Sequence, residues 1–513
     1  MSESQARVRT DLGSGAGAMA RGAGVNLLGL AIGTVLALAF ALIITHVLSA
    51  EDIGLFSLAT TVVALAAVPA ILGLDTGVIR FVALGVGADD ERRARGALQM
   101  AVGFTALSST IVAVLIWWYA PWIAGTLFDQ PEATDLLRIV SASLPAIATG
   151  KVLIATIRGF GVMAYAAWLN ILSRVLDFAT ALPLLALGFG VRGLAWASVI
   201  AAFAALPVAV ALLVRVDSHA LVPAPDAWPL GRLLRFSLPQ TLTIVFFIGA
   251  ARIDVLLLAR FSSAAEVGIY SIALRVLLPA TLVSTSIGQM FAPRVAAEDA
   301  HGDPRTLATM LRRVTYWNTA TSLPFFAALI VLAVPILELF GPVYAAGATA
   351  LVILAAGRLF HTSAGPLGPL LNMSGRPYIT MLNNFVVTLL NIGLGVALIP
   401  RYGMTGAAIS TAVSLAVLNV VCLVEVRAIF GLYPFRRDTV AMFGSAVFAV
   451  VATLPVAFFP SWPTPLAQVA VAGSILFLAY GLAMRAVGLS HEDRELFAVG
   501  RARLARRMHL RRS

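Results

Sequence analysis

Long apolar runs separated by short polar stretches make up most of the chain. Arg, Asp, Pro and Gly mark the breaks and leave fourteen runs of about 20 residues, the length that an α-helix needs to cross a hydrocarbon layer roughly 30 Å thick. Because a helix satisfies its backbone polar groups internally, this pattern predicts an all-α, polytopic membrane protein with about 14 transmembrane helices. The predicted spans are 25–48, 53–74, 97–119, 136–157, 164–187, 193–214, 236–259, 267–291, 315–339, 347–371, 378–399, 404–426, 439–459 and 465–486.

The arginines between the runs give an independent test of this count. Alternate loops and the two ends of the chain carry 27 arginines, whereas the opposite loops carry only Arg138, Arg192, Arg260 and Arg401. Positively charged loops stay on the cytoplasmic side of a membrane. The distribution therefore predicts a multi-pass protein of the cytoplasmic (inner) membrane with both termini in the cytoplasm.

The chain also repeats itself at an offset of 214 residues. "SAEDIGLFSLA" at 49–59 corresponds to "SAAEVGIYSIA" at 263–273, and at an offset of 213 "GVRGLAWAS" at 190–198 corresponds to "GMTGAAIST" at 403–411. Each half holds an even number of predicted spans, so the halves enter the membrane in the same direction, and such repeats place a transported molecule between them. Duplication kept only for packing is the alternative.

These observations divide the chain into four parts. An N-lobe at 1–220 holds the first six predicted spans and a C-lobe at 221–432 the next six. The last two spans occupy 433–487, and a basic cytoplasmic tail occupies 488–513.

Ionisable residues inside predicted spans are the candidate functional residues, because charge at membrane depth faces a partner or a water-filled cavity. The deep cations outnumber the deep carboxylates Asp177 and Asp254, and this surplus predicts an anion-binding cavity. Asn170, Arg174 and Asp177 form one stripe at i, i+4 and i+7, which the repeat maps onto Asn384, Thr388 and Asn391. Hydrogen bonding between helices is the alternative role for this stripe. The deep cations are Lys151, Arg174, Arg252, Arg275 and Arg358.

Two local patterns qualify this set. Lys151, the only lysine, is seven residues from Arg158, so its side chain either faces the cavity or extends to the cytoplasmic interface. Arg358 and His361 precede Pro366 and Pro369, which are expected to break the tenth span. His361 either serves transport or bonds a neighbouring helix.

Composition excludes several other classes of protein. Apolar residues make up 60% of the chain, charged residues 12%, and the mean hydropathy is +0.92, which rules out an ordinary soluble globular protein. The net charge of +11 follows from loop topology and predicts contact with anionic membrane lipids rather than nucleic acid. The single cysteine, Cys422, excludes an internal disulfide, and no cofactor or metal site is expected.

Four segments carry a resemblance to a known family. "SAEDIGLFSLA", "LGLDTGVIRF" at 72–81, "IRGFG" at 157–161 and "SAAEVGIYSIALR" at 263–275 resemble the polysaccharide-biosynthesis flippases of the multidrug, oligosaccharidyl-lipid and polysaccharide exporter superfamily. The resemblance covers nearly all of residues 20–487. It implies two six-helix lobes arranged as a V, with two C-terminal helices added. It also implies a polyprenyl-diphosphate-linked oligosaccharide as substrate, and polysaccharide assembly proteins are candidate partners.

Together, the resemblance and the deep cations predict a flippase for cell-surface polysaccharide biosynthesis that works by alternating access. The diphosphate would be held by the deep cations, chiefly Arg174, Arg358 and Lys151, because arginine binds phosphate oxygens bidentately. Asp177, Asp254, Glu425 and His361 are the candidates for coupling to H⁺ or Na⁺. The headgroup is expected to enter from the cytoplasmic side past Arg21, Arg80, Arg235 and Arg294. Asn26 and Gln240, which the repeat relates to each other, are also expected to bind the substrate, as are Asn170 and Asn384.

Three other functions are alternatives to this prediction. A multidrug and toxin extrusion antiporter would need a cavity with net negative charge for its cationic substrates. A lipid II flippase is a closer alternative, and the composition of the chain is compatible with it. A membrane glycosyltransferase or ligase would need a catalytic loop, and no predicted external loop is much longer than about fifteen residues. An enzyme is therefore not expected.

Overall fold

All regular secondary structure in the described chain is helical. A computed structural model describes residues 29–487 except 89, 221, 225–229, 302–303, 437 and 460–461. Within these residues there is no β-strand. The helices are α1 (Gly29–Val47), α2 (Ala50–Ile71), α3 (Leu74–Gly87), α4 (Glu91–Pro121), α5 (Ala133–Ser141), α6 (Leu144–Gly159), α7 (Met163–Ala186), α8 (Gly190–Val216), α9 (Leu230–Phe261), α10 (Ala264–Val276), α11 (Leu278–His301), α12 (Pro304–Val331), α13 (Ala333–Glu338), α14 (Ala348–Ser363), α15 (Leu367–Met373), α16 (Pro377–Phe430), α17 (Thr439–Ala457) and α18 (Pro465–Val487).

Many of these helices are long and apolar enough to cross a membrane. Ten meet that criterion among the described residues, or twelve if the bent pairs α5–α6 and α10–α11 each form one span. α16 is broken at Gly403, whose φ of 52° and ψ of −134° are not helical, at the predicted boundary between two spans. The prediction of an all-α multi-pass membrane protein is confirmed. The count of fourteen and the limits of the lobes stay predictions.

The sequence repeat reappears in the backbone. Gly161 and Gly375 have φ of 84° and 74°, and Gly190 and Gly403 have φ of 55° and 52°. Only glycine adopts this left-handed conformation without a steric penalty, so the two halves turn the chain in the same way at corresponding points. The helices that open the repeated motif are also capped alike, because Ser49 Oγ accepts from the Asp52 amide and Ser263 Oγ from the Glu266 amide.

The two halves meet where α2 crosses α10, and the contact is reciprocal. A Cβ added to Gly54 would overlap the carbonyl oxygen of Ala264, and a Cβ added to Gly268 would overlap that of Ala50. Small residues four apart on both helices thus bring the two backbones into direct contact. One turn further on, the hydroxyl oxygens of Ser57 and Ser271 lie 2.6 Å apart. These two serines are separated by 214 residues, so they are equivalent positions that touch each other.

A second contact between the halves lies near the start of α9. Gly73 and Gly77, at the start of α3, approach Ser237, and a Cβ at either glycine would overlap that residue. The guanidinium of Arg80 lies 4.4 Å from the ring centre of Phe236.

Candidate functional site

The polar stripe of α7 faces two adjoining cavities. The left-handed Gly161 turns the chain into α7, and Asn170, Arg174 and Asp177 then follow at helical spacing. Arg174 Nη1 lies 3.6 Å from Asp177 Oδ2, and both side chains are accessible, at 57% and 34%. These two residues therefore form an ion pair, but the pairing does not remove them from the cavity surface.

The first cavity brings together residues from both halves. We call it the arginine cavity; its volume is about 320 Å³ and its charged lining residues are Arg174, Asp177, Arg252 and Arg275. Arg174 belongs to α7, whereas Arg252 and Arg275 come from α9 and α10. Arg252 and Asp254 point to different sides of α9, because Arg252 lines the cavity and Asp254 is buried elsewhere.

The second cavity extends the first within the N-terminal half. We call it the lysine cavity; it has a volume of about 750 Å³ and is lined by Lys151 and Asn170 as well as Arg174 and Asp177. Lys151 thus faces this cavity, and the carboxylate acting on its ammonium group is Asp75 of α3. The two cavities share Arg174 and Asp177, and we refer to them together as the cleft.

The cleft carries a surplus of positive charge. Its lining includes four cations, Lys151, Arg174, Arg252 and Arg275, and one carboxylate, Asp177. The charges that act on the half-buried Arg275 are the guanidinium groups of Arg174 and Arg252, both of its own sign. Three like charges held together in one cavity repel one another, and an anion bound among them would offset this repulsion.

A different group of polar residues lies in the C-terminal half. Asp254 is 2% exposed, and its carboxylate accepts from Tyr270 Oη at 2.7 Å, Thr411 Oγ1 at 3.1 Å and the Val255 amide at 2.9 Å. Arg358 is the cation whose charge acts on this carboxylate. Arg358 does not line either cavity of the cleft, so we leave it out of the anion-binding cluster.

His361 follows Arg358 on α14, close to the predicted helix break. α14 ends at Ser363, Gly365 has a φ of 83°, and α15 begins after Pro366, so the break is confirmed. His361 Nδ1 bonds Asn419 Oδ1 at 2.9 Å. Because that oxygen can only accept, the histidine donates to a neighbouring helix, which is the structural alternative that the sequence left open.

The remaining predicted residues are spread over other positions. Glu425 accepts from Asn383 Nδ2 at 2.6 Å, and Asn384 is 7% exposed. Gln240 and Arg235 lie on α9 and Arg294 on α11. Arg21 and Asn26 lie outside the described residues.

Several residues of the site were not singled out from the sequence. Phe40, Phe56 and Ser198 line the arginine cavity, and Tyr270 and Thr411 hold Asp254. Phe56, Ser198, Tyr270 and Thr411 lie within the repeated motifs, so the repeat was the signal that could have identified them. Among the described residues, no group of three or more His, Cys, Asp or Glu side chains could hold a metal ion.

Known proteins of similar fold are membrane transporters. A solved structure described as a lipid II flippase, MurJ, in an inward closed conformation superposes with a TM-score of 0.70 at 15% identity, covering 88% of this chain and 97% of that one. An inward-facing multidrug resistance transporter of the MATE family superposes with a TM-score of 0.64 at 18% identity, covering 79% of this chain and 94% of that one. At these identities the likeness shows the fold.

Sequence comparison identifies the family. A probable low-salt glycan biosynthesis flippase, Agl15, of Haloferax volcanii is 25% identical over 168 residues, which is 33% of this chain and 36% of that relative. The match therefore spans about a third of the relative's length. The profile of the family described as "Polysaccharide biosynthesis protein" matches residues 43–344. Because this match includes more than half of the 513 residues, the chain belongs to the polysaccharide biosynthesis protein family.

Proposed function

We propose that this protein is a flippase that moves a polyprenyl-diphosphate-linked oligosaccharide from the cytoplasmic to the outer leaflet of the inner membrane. The observation that carries the proposal is the convergence of Arg174, Arg252 and Arg275 on one cavity with a single carboxylate among its lining residues. A diphosphate offers several anionic oxygens, and guanidinium groups bind such oxygens through short charge-assisted hydrogen bonds. The family and the glycan flippase relative support the same class of substrate.

The origin of the three arginines suggests how substrate and motion are linked. Arg174 comes from the N-terminal half, and Arg252 and Arg275 come from the C-terminal half. A diphosphate between them would therefore hold the halves together and offset the repulsion among the three cations. In an alternating-access cycle with both termini cytoplasmic, the loaded protein would close more readily than the free protein.

The lysine cavity is the proposed space for the first sugars. It is more than twice as large as the arginine cavity. Its lining combines the polar Lys151 and Asn170 with small residues such as Ala146 and Gly150. The polyprenyl chain would remain in the lipid. Among the four candidates for coupling to H⁺ or Na⁺, Asp254 is the one buried within the protein, and Asp177 is the one in the cleft.

The experiment follows transport directly. The full-length protein is reconstituted into vesicles with a fluorescent polyprenyl diphosphate oligosaccharide, and the fraction of substrate that crosses the bilayer is measured. R174A, R252A and R275A are each expected to lower the rate at least tenfold, because a hydrogen bond between charged groups contributes about 1.5–3 kcal/mol. R192A is the matched control, since Arg192 pairs with Asp135 at an exposed site outside the cleft.

Two outcomes would contradict the proposal. Unchanged transport in all three cleft variants would remove the anion site. Transport of organic cations in place of the lipid diphosphate would favour an antiporter of the MATE type. Lipid II, used as a second substrate, tests which glycan the cleft accepts, because the MurJ structure has the same fold.

A further inference from the structure

A third cavity lies in the C-terminal half and shares no lining residue with the cleft. We call it the side cavity; its volume is about 840 Å³, and its walls come from α12, α14, α16, α17 and the segment that precedes α17. This size falls within the roughly 300–1,000 Å³ typical of small-molecule sites. Its walls are mainly apolar and include Phe360, Val420, Leu423, Val440 and Phe443.

Two buried polar groups at this cavity have free hydrogen-bonding capacity. Asn419 and Ser363 both line it and are 5% and 8% exposed. Within the part of the chain that the structure describes, Asn419 Nδ2 and Ser363 Oγ have no hydrogen-bond partner. The bond between His361 Nδ1 and Asn419 Oδ1 fixes the amide, so Nδ2 is the atom left to donate. A buried donor without a partner destabilises the protein, and a ligand with acceptor atoms would remove this penalty.

The rim of the side cavity adds positive charge. Arg312, in the third turn of α12, donates from Nε to the Tyr433 carbonyl at 3.2 Å, and this bond holds its guanidinium at the cavity. Arg436 also lines the rim, but its Nη2 lies 2.8 Å from Asp438 Oδ2, so these two charges offset each other. Arg312 is therefore the residue whose positive charge is available to bind a ligand in the side cavity.

The chemistry of these groups selects the ligand. Arg312 and Asn419 present donors, and the Ser363 hydroxyl can donate as well, so the matching molecule is rich in acceptors. The apolar walls require that the molecule also have a long hydrocarbon part. A phospholipid meets both conditions, because its phosphodiester and ester carbonyls accept hydrogen bonds and its acyl chains are apolar. The net positive charge at the rim favours an anionic headgroup over a zwitterionic one.

We propose that the side cavity is a binding site for an anionic membrane phospholipid, separate from the transport cleft. In this arrangement the phosphate contacts Arg312, an ester oxygen accepts from Asn419 and Ser363, and one acyl chain lies against Phe360, Val420 and Phe443. Asn419 also accepts a hydrogen bond from His361. The charge of Arg358 acts on both His361 and Asp254, so Arg358 lies between these two residues electrostatically. A lipid bound here would therefore be linked to Asp254 through Asn419, His361 and Arg358, from outside the cleft.

The test measures lipid binding to the delipidated full-length protein in detergent by native mass spectrometry. Dioleoyl phosphatidylglycerol is the probe, with dioleoyl phosphatidylcholine and undecaprenyl phosphate as comparison lipids. R312Q is expected to weaken phosphatidylglycerol binding about tenfold, because it removes one charge-assisted contact. R313Q is the matched control, since Arg313 is the next residue but lines a different pocket. V420W, which fills the apolar part, should also lower binding without lowering the melting temperature.

Three results would overturn the proposal. Equal phosphatidylglycerol affinity in the wild type, R312Q and V420W would mean that the lipid binds elsewhere. Equal affinity for phosphatidylcholine would remove the role of charge. Tighter binding of undecaprenyl phosphate would assign the cavity to the carrier lipid of transport instead. Binding that is lost in R312Q but kept in R174A, with phosphatidylglycerol preferred, supports a separate phospholipid site.

Discussion

The two halves of the molecule use equivalent positions in opposite ways. Asp254 and Tyr270 lie 214 residues after Phe40 and Phe56, and Thr411 lies 213 residues after Ser198. In the C-terminal half these positions form a closed, buried hydrogen-bonded group, whereas in the N-terminal half they line the arginine cavity.

The polar stripes of α7 and α16 also differ in whether they face a cavity. Arg174 and Asp177 of α7 face the cleft, but the equivalent Thr388 and Asn391 of α16 are packed. Thr388 Oγ1 lies 3.2 Å from the Phe246 carbonyl of α9, and Asn391 is 1% exposed. A repeated backbone therefore does not imply a repeated site. The N-terminal half supplies most of the cleft, and the C-terminal half contributes two arginines to it.

The largest expected effect tests the reciprocal crossing of α2 and α10, to which both halves contribute in the same way. G54V should destabilise the protein by more than about 3 kcal/mol, because its side chain would collide with the α10 backbone. G268V should do the same, since the crossing is reciprocal. Thermal unfolding in detergent measures both, with G103V as the control, because a Cβ at Gly103 has no neighbour within 4 Å. A tolerated G268V beside a damaging G54V would contradict the reciprocal crossing.

The second prediction tests the difference between the two polar stripes. R174A should weaken binding of the lipid diphosphate roughly 10- to 100-fold, because a charge-assisted contact of about 1.5–3 kcal/mol is lost. T388A, at the equivalent position, should leave that affinity within about twofold. Titration of both purified variants measures this. Equal losses would mean that the C-terminal stripe also takes part in binding.

The third prediction tests the buried group in the C-terminal half. Y270F should lower the free energy of unfolding by about 1–3 kcal/mol, because the Asp254 carboxylate loses a buried donor. F56Y, the reverse change at the equivalent N-terminal position, should be nearly neutral, since its hydroxyl can reach the cavity. Chemical denaturation of the two variants provides the comparison. A stable Y270F protein would show that Asp254 does not depend on this bond.

The smallest expected effect concerns the contact that the halves make with each other. S57A and S271A should each cost about 0.5–1.5 kcal/mol, because either change removes the same hydrogen bond. The double variant should therefore cost less than the sum of the two, and a double-mutant cycle measures this. Additive effects would mean that the two hydroxyls act independently.

The repeat and the helical class could be predicted because both depend on local patterns. The 214-residue offset identified Gly161 with Gly375, and both have the left-handed backbone. The opposite directions of Arg252 and Asp254 also followed from helical geometry alone. Each of these inferences needed only the order of residues within one helix or one repeat.

The composition of the cleft could not be predicted in the same way. Arg252 and Arg275 reach Arg174 only because α9 and α10 pack beside the N-terminal half, and no spacing within a helix encodes that. Arg358 shows the opposite case, since the sequence grouped it with Arg174 among the deep cations but the charges that act on it are those of Asp254 and Tyr270. The side cavity depends on the meeting of five separate segments, so no single motif indicated it.

The Ser57–Ser271 contact has a consequence for the origin of the protein. When equivalent residues touch each other, they lie on the rotation axis, and a pair of identical chains makes this kind of contact at the centre of its interface. The surface formed by Ala50, Gly54 and Ser57 is therefore suited to pair with a copy of itself. An ancestor of half this length could have worked as a homodimer through that surface before gene fusion joined its two subunits and allowed their interiors to diverge.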